Sequence, residues 1–209
     1  LAASTVGELR KLLDHAEGRI KLRGLWALAA CQKLTATDLE KAMRDADEHV
    51  RGWAVRLLVQ PTSTTNSTEY TKLLNSGALT KLAATEKSAL VRLELASAAQ
   101  RIEPKLSLGI VSSLITHGED SNDHNQPLMV WYAVSRLLET IPAEMIAQLS
   151  RNQIPIVGEF AARQIAQVWL AEASDARSAS LVQFMTTAAS TKDAAQSVRM
   201  LDSILRSLE

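Results

Sequence analysis

Arg23, Arg51, Arg92 and Trp131 each stand one step after the first apolar position of four similar segments. Arginine carries a planar fork of donors, and tryptophan a large ring with one polar edge. These are the residue types that dominate protein-interface hot spots. In register, they support two kinds of chemistry. Each arginine can tie its segment to a neighbour through an acidic turn residue, with Trp131 filling a gap. Alternatively, the four can line one edge as a docking row. The internal use asks for no partner, and surface ion pairs need no function.

Other reactive residue types lack the spacing that chemistry requires. His15, His49, His117 and His124 have no ligand-like neighbour at i+3 or i+4, so they read as surface or turn histidines. The polar loop Gly118–Asn125 could hold calcium. An EF-hand opening at Asp120 would need Gly where Asn125 stands and Glu where Trp131 stands. The loop is expected to be a solvated turn whose Asp and Asn cap helix ends. No Gly-rich phosphate loop, nucleophile elbow or paired-His zinc motif occurs. No catalytic, cofactor-binding or metal-binding residue is therefore expected, and no cofactor. Asn66-Ser67-Thr68 is formally a glycosylation acceptor within an inter-repeat loop, Pro61–Thr68. Trp26, Trp53 and Trp169 lie on apolar stripes, where core packing is the expected role.

The elements that position these residues follow from composition. The 209 residues carry 23 Lys plus Arg and 23 Asp plus Glu, a formal net charge of zero. That weighs against a general nucleic-acid binder. Ala and Leu contribute about thirty residues each, against 8 Gly, 5 Pro and 4% aromatics. Such a balance favours helices and makes a β-sandwich unexpected. Cys31 is the one cysteine, so no intramolecular disulfide forms. No apolar run approaches the length of a bilayer span, so no direct membrane insertion is expected. The opening Leu1-Ala2-Ala3-Ser4 does not read as a signal peptide, and the chain is expected to be a segment of a longer protein.

Self-similarity gives the organisation. Leu22-Arg23-Gly24-Leu25-Trp26, Val50-Arg51-Gly52-Trp53-Ala54, Val91-Arg92-Leu93-Glu94-Leu95 and Val130-Trp131-Tyr132-Ala133-Val134 each open a helix. In the second, Val50, Trp53, Ala54, Leu57 and Leu58 recur at i, i+3, i+4, i+7 and i+8, which makes one continuous stripe. A weaker fifth copy has Ile154, Val157, Ala161 and Ile165. Helical stretches precede these at 5–15, 37–45, 68–85, 104–117 and 142–150, and a final pair is expected at 177–189 and 192–208. The Thr37-Asp38-Leu39-Glu40 run is expected to cap the second stretch. The fold expected is all-α: five to six antiparallel helix pairs stacked as a right-handed α-solenoid, one repeat domain over residues 1–209. The second helices would line a long shallow face suited to a protein surface.

The stretch Asp45-Ala46-Asp47-Glu48-His49-Val50-Arg51, with Ala54 and Leu57-Leu58, resembles a HEAT repeat. That resemblance implies a ladder between neighbouring repeats, in which Asp47 and Arg51 match the acidic and basic positions. Arg23 and Arg92 match the basic position, with Glu17 and Glu86 as candidate acids. The fourth repeat departs with Trp131, and the fifth has Gly158. Taken with Asn125-Gln126-Pro127-Leu128-Met129-Val130-Trp131-Tyr132-Ala133, the series over residues 15–170 is similar to the helical-repeat region of planctomycete-type membrane-bound dehydrogenases. In that family a sugar-dehydrogenase-like propeller precedes the repeats and a c-type haem domain often follows. The resemblance implies a non-catalytic scaffold or protein-interaction module, with redox chemistry in other domains and a place in the cell envelope or periplasm. Its partners would be those domains or another protein, with no nucleic acid. This chain holds no Cys-x-x-Cys-His haem attachment sequence. HEAT-like DNA glycosylases and phycobilin lyases are the alternative classes. No catalytic acid marks the first here, and no distinctive motif the second.

Overall fold

The computed structural model describes residues 2–60, 68–171, 174–191 and 193–208, the side chains of Trp169 and Leu208 apart. The Pro61–Thr68 loop, all but its last residue, and the packing of Trp169 lie outside that description. Among the described residues the chain is all-helical, with no strand. Its residues divide into two compact units, 1–101 and 102–209.

The first unit contains α1 (Ala3–Lys11), α2 (Gly18–Ala30), α3 (Ala36–Ala42), α4 (Glu48–Val59), α5 (Thr68–Asn75), α6 (Ala78–Thr85) and α7 (Ala89–Ala99). The helix α1 packs on α2, α3 on α4, and α6 on α7, while α2, α4 and α7 also contact one another in succession. Leu25, Leu28, Ala54, Val55, Leu58, Val91, Leu95 and Ala96 fill the space between them. Alanine at the closest approaches lets the axes draw together.

Local chemistry sets the helix ends. The cap of α3 is Thr35, two residues before the expected run: its hydroxyl accepts the Asp38 N–H and the Asp38 carboxylate accepts the Thr35 N–H. That reciprocal pairing satisfies two orphan donors, which Thr37 cannot do from inside the helix. The stretch expected as one helix over 68–85 is two. Gly77 takes φ +74°, a left-handed conformation that ends α5 and starts α6.

The second unit contains α8 (Pro104–Leu114), α9 (Gln126–Thr140), α10 (Pro142–Gln148), α11 (Pro155–Ala171), α12 (Asp175–Ala189) and α13 (Ala194–Leu208). Two rows form: α8, α10 and α12 contact in order, and so do α9, α11 and α13. Proline occupies the first turn of α8, α9 and α10, where its missing N–H costs nothing. The polar loop after α8 is a short 3-10 turn, Gly118–Asn122. Asp123 then accepts the N–H groups of Asn125 and Gln126 at the start of α9, and Asp120 is buried.

Candidate interaction surface and inter-repeat ladder

Arg51 stands in the first turn of α4, four residues after the helix cap Asp47. Its Nε and Nη2 donate to Glu86 Oε2 and Oε1 at 2.9 and 2.7 Å, a bidentate pair across 35 residues. Its Nη1 donates to the carbonyl oxygens of Asp45 and Ala46 at 2.9 and 3.0 Å. Glu86, only 6% exposed, also accepts the Ser88 N–H at 2.9 Å. Such a half-dry pair is stable because its lone pairs and protons are satisfied.

The same device recurs on either side. Lys21 stands four residues after Glu17, the residue before α2, and donates to Asp45 Oδ2 at 2.6 Å. Arg92 stands four residues after the cap Ser88 of α7, and its Nη1 donates to the Glu86 carbonyl at 3.0 Å. The Arg51 and Arg92 guanidinium groups thus each bind the carbonyl six residues back. Two carboxylates stand two residues before the caps of α4 and α7, and they receive a base from α2 and α4 respectively. The order is Lys21 to Asp45, then Arg51 to Glu86.

The electrostatics follow this geometry. Burial opposes the charge on Asp45, yet the Lys21 hydrogen bond, the Asp47 N–H and the charges of Lys21 and Arg51 hold it below the ordinary carboxylate range. Burial likewise opposes the Glu86 charge. The Arg51 hydrogen bonds, the Ser88 N–H, the Arg51 charge and the Lys87 N–H outweigh it and lower the value. The Glu86 hydrogen bond raises Arg51, against desolvation and with help from the charges of Glu86, Glu48 and Asp45.

The expected residues fall into place unevenly. Arg51 links α4 to the start of α7 through Glu86. Asp47 is not its carboxylate partner: it accepts the His49 and Val50 N–H groups at the start of α4. The Asp47 carboxylate rests where a Cβ on Gly18 would stand, 1.7 Å from its Oδ2. Glu86, considered as a partner for Arg92, binds Arg51 through its side chain and Arg92 through its carbonyl. Arg23 is exposed and has no hydrogen bond or ion pair among the described residues; Lys21, two positions earlier, makes the ion pair to Asp45 instead. The text Leu-Arg-Gly matches Val-Arg-Gly, but the distance from the helix start sets the direction in which a side chain points.

Trp26, Trp53 and Trp131 each meet another aromatic ring. Trp26 on α2 is 41% exposed and meets Trp53 on α4 edge to face, ring centroids 5.0 Å apart. Arg56 lies 4.9 Å over the Trp53 ring and pairs with Glu94 of α7 at 2.5 and 3.1 Å. Core packing, expected for Trp26 and Trp53, is only partly met, because the outer side of the α2 and α4 stripes meets water. The second unit repeats the pattern. Trp131 on α9 meets Phe160 on α11 edge to face at 5.4 Å, and Arg163 lies 5.7 Å over Phe160. In both units the arginine follows the second aromatic by three residues, the spacing that puts two side chains on one helix face.

Spacing from the caps was the missed signal. An acid two residues before the cap and a base four after it recur as Asp45/Arg51 and Glu86/Arg92. Nothing local marks Glu94 as the partner of Arg56.

Other chemistry is sparse. Among the described residues no group of three or more His, Cys, Asp or Glu could hold a metal ion. A cleft of about 720 Å³ in the second unit is lined mainly by hydroxyls and amides, including Thr116, Asn152, Thr191 and Gln196. A smaller one of about 310 Å³ lies among Leu138, Ile146, Ile165 and Arg177. No described helix is long and apolar enough to cross a membrane. No family model, curated protein or solved structure matches the chain.

Proposed function

We propose that the chain is a non-catalytic scaffold: five to six HEAT-like helical hairpins in a right-handed α-solenoid, forming the repeat region of a larger membrane-bound dehydrogenase of the cell envelope. In this reading propeller and haem domains carry the redox chemistry. The repeats hold those domains in place or dock a protein partner, by shape and surface complementarity. The observation that carries it is the ladder from Lys21 to Asp45 and from Arg51 to Glu86, which ties consecutive hairpin turns as a stacked repeat requires. The exposed Trp26 against Trp53, with Arg56 over the Trp53 ring, supports a protein-docking role, since these residue types dominate interface hot spots.

The purified 209-residue chain tests the non-catalytic part. It is expected to unfold cooperatively, take up no haem, and pass no electrons from sugars to an artificial acceptor. Turnover by the pure chain would overturn that part. The full-length gene product tests the dehydrogenase part. A propeller upstream with Cys-x-x-Cys-His downstream is expected, and a gene encoding neither would remove it.

A further inference from the structure

The smaller cleft of the second unit, about 310 Å³, lies among α9, α10, α11 and α12. Leu138, Ile146 and Ile165 form its apolar part and are buried, while Val168, 40% exposed, carries that part to the mouth. The charges in its lining are one of each sign, Glu139 and Arg177. Apolar walls with a few convergent polar groups are the usual make-up of a small-molecule site, and this volume sits at the small end of that class.

Helix geometry places the polar groups. The Gln164 Nε2 donates to the Ser135 carbonyl at 3.2 Å, which fixes the amide and leaves its Oε1 buried with no hydrogen-bond partner. A buried acceptor in that state lacks its donor. Glu139 stands four residues after Ser135, one turn further along the same side of α9. It is exposed and forms no hydrogen bond or ion pair among the described residues. Val168 stands four residues after Gln164 on α11, and its carbonyl accepts from the Arg177 Nη1 at 3.5 Å. From Gln164, one turn along α9 therefore leads to a carboxylate, and one turn along α11 leads to a guanidinium.

We propose that this cleft binds a free apolar α-amino acid as its zwitterion. The ammonium group donates to the Gln164 Oε1 and to the Glu139 carboxylate. The carboxylate accepts from Arg177, whose guanidinium has five N–H donors and so has capacity beyond the Val168 carbonyl. The apolar side chain covers Ile146, Ile165 and Val168. Charge selects this class of ligand. A simple cation would meet Arg177, and a simple anion would meet Glu139. An uncharged apolar molecule would leave the Gln164 Oε1 unpaired and strip water from both charges. The interior of a peptide carries no adjacent ammonium and carboxylate. Binding of this kind involves no bond making and does not depend on the scaffold reading.

The test is isothermal titration of the 209-residue chain with L-leucine and with L-phenylalanine. One saturable site per chain is expected, with a Kd below about 1 mM. Glycine, N-acetyl-leucine and leucinamide lack the apolar side chain, the ammonium and the carboxylate respectively. Each should bind about tenfold more weakly or worse, as the loss of a charged hydrogen bond or of apolar burial requires. Glu139→Gln and Gln164→Leu should each weaken L-leucine binding by about tenfold with unchanged helix content. Glu139 is exposed, so its replacement leaves the fold intact, and Trp26→Ala in the first unit should leave binding unchanged. No saturable binding of either amino acid would overturn the proposal. So would binding indifferent to both Glu139→Gln and Gln164→Leu. Leucinamide held as tightly as leucine would overturn the zwitterion and the part given to Arg177.

Discussion

Arg51 and Glu86 share two parallel hydrogen bonds where little water reaches them. Replacing Arg51 with Ala leaves the buried Glu86 carboxylate without its counter-charge, which costs about 3 kcal/mol. Urea denaturation should show that loss. The double variant Arg51→Ala/Glu86→Ala should recover part of it, because the stranded charge is gone. Arg23→Ala should change stability by less than about 0.5 kcal/mol, since the side chain is exposed and unpaired. Acid acts on the same carboxylates. Asp45 and Glu86 are both lowered in the folded state, so the unfolded chain takes up their protons first as pH falls. Their stabilisation is complete above the unfolded values near pH 4 and is lost as pH falls through the lower folded ones. Stability measured from pH 7 to pH 3 should therefore fall on the acid side, and Glu86→Gln should flatten that limb.

Helix boundaries rest on single residues. Gly77 allows the reversal between α5 and α6, and a Cβ there would meet nothing within 4 Å. Any penalty of Gly77→Ala is therefore purely conformational, about 1 kcal/mol, readable by thermal denaturation. Thr35→Ala removes the oxygen that accepts the Asp38 N–H and should cost about 1 kcal/mol. The Thr35 cap was missed because Thr37 carries the same hydroxyl two residues on. Only the Thr35–Asp38 spacing closes the reciprocal pair. The break at Gly77 could have been read from a glycine between two short apolar runs, but the run of helix formers on both sides concealed it.

For the chain as a whole, balanced charge sets the long-range behaviour. Its 23 cations are matched by 23 acids, and some are paired with carboxylates, as in Lys21–Asp45, Arg51–Glu86 and Arg56–Glu94, so no basic excess is left for phosphates. Gel shifts with duplex DNA should show no retention at about 0.15 M salt. A salt-dependent shift would instead favour the DNA-binding class. The all-α character followed from a period of 3.6, which residues within one turn express among themselves. Asp47 and Val50 frame the position of Arg51 locally, but the acid it binds is Glu86 and not Asp47. What the tertiary structure alone decided was pairing over distance. Glu86 lies 35 residues from Arg51, and Glu94 lies 38 from Arg56. Many acids could serve each base in one dimension. Helix packing brings one within reach and sets which sides of Trp26 and Trp53 meet water, because burial depends on the neighbour laid against a stripe as well as on the stripe itself.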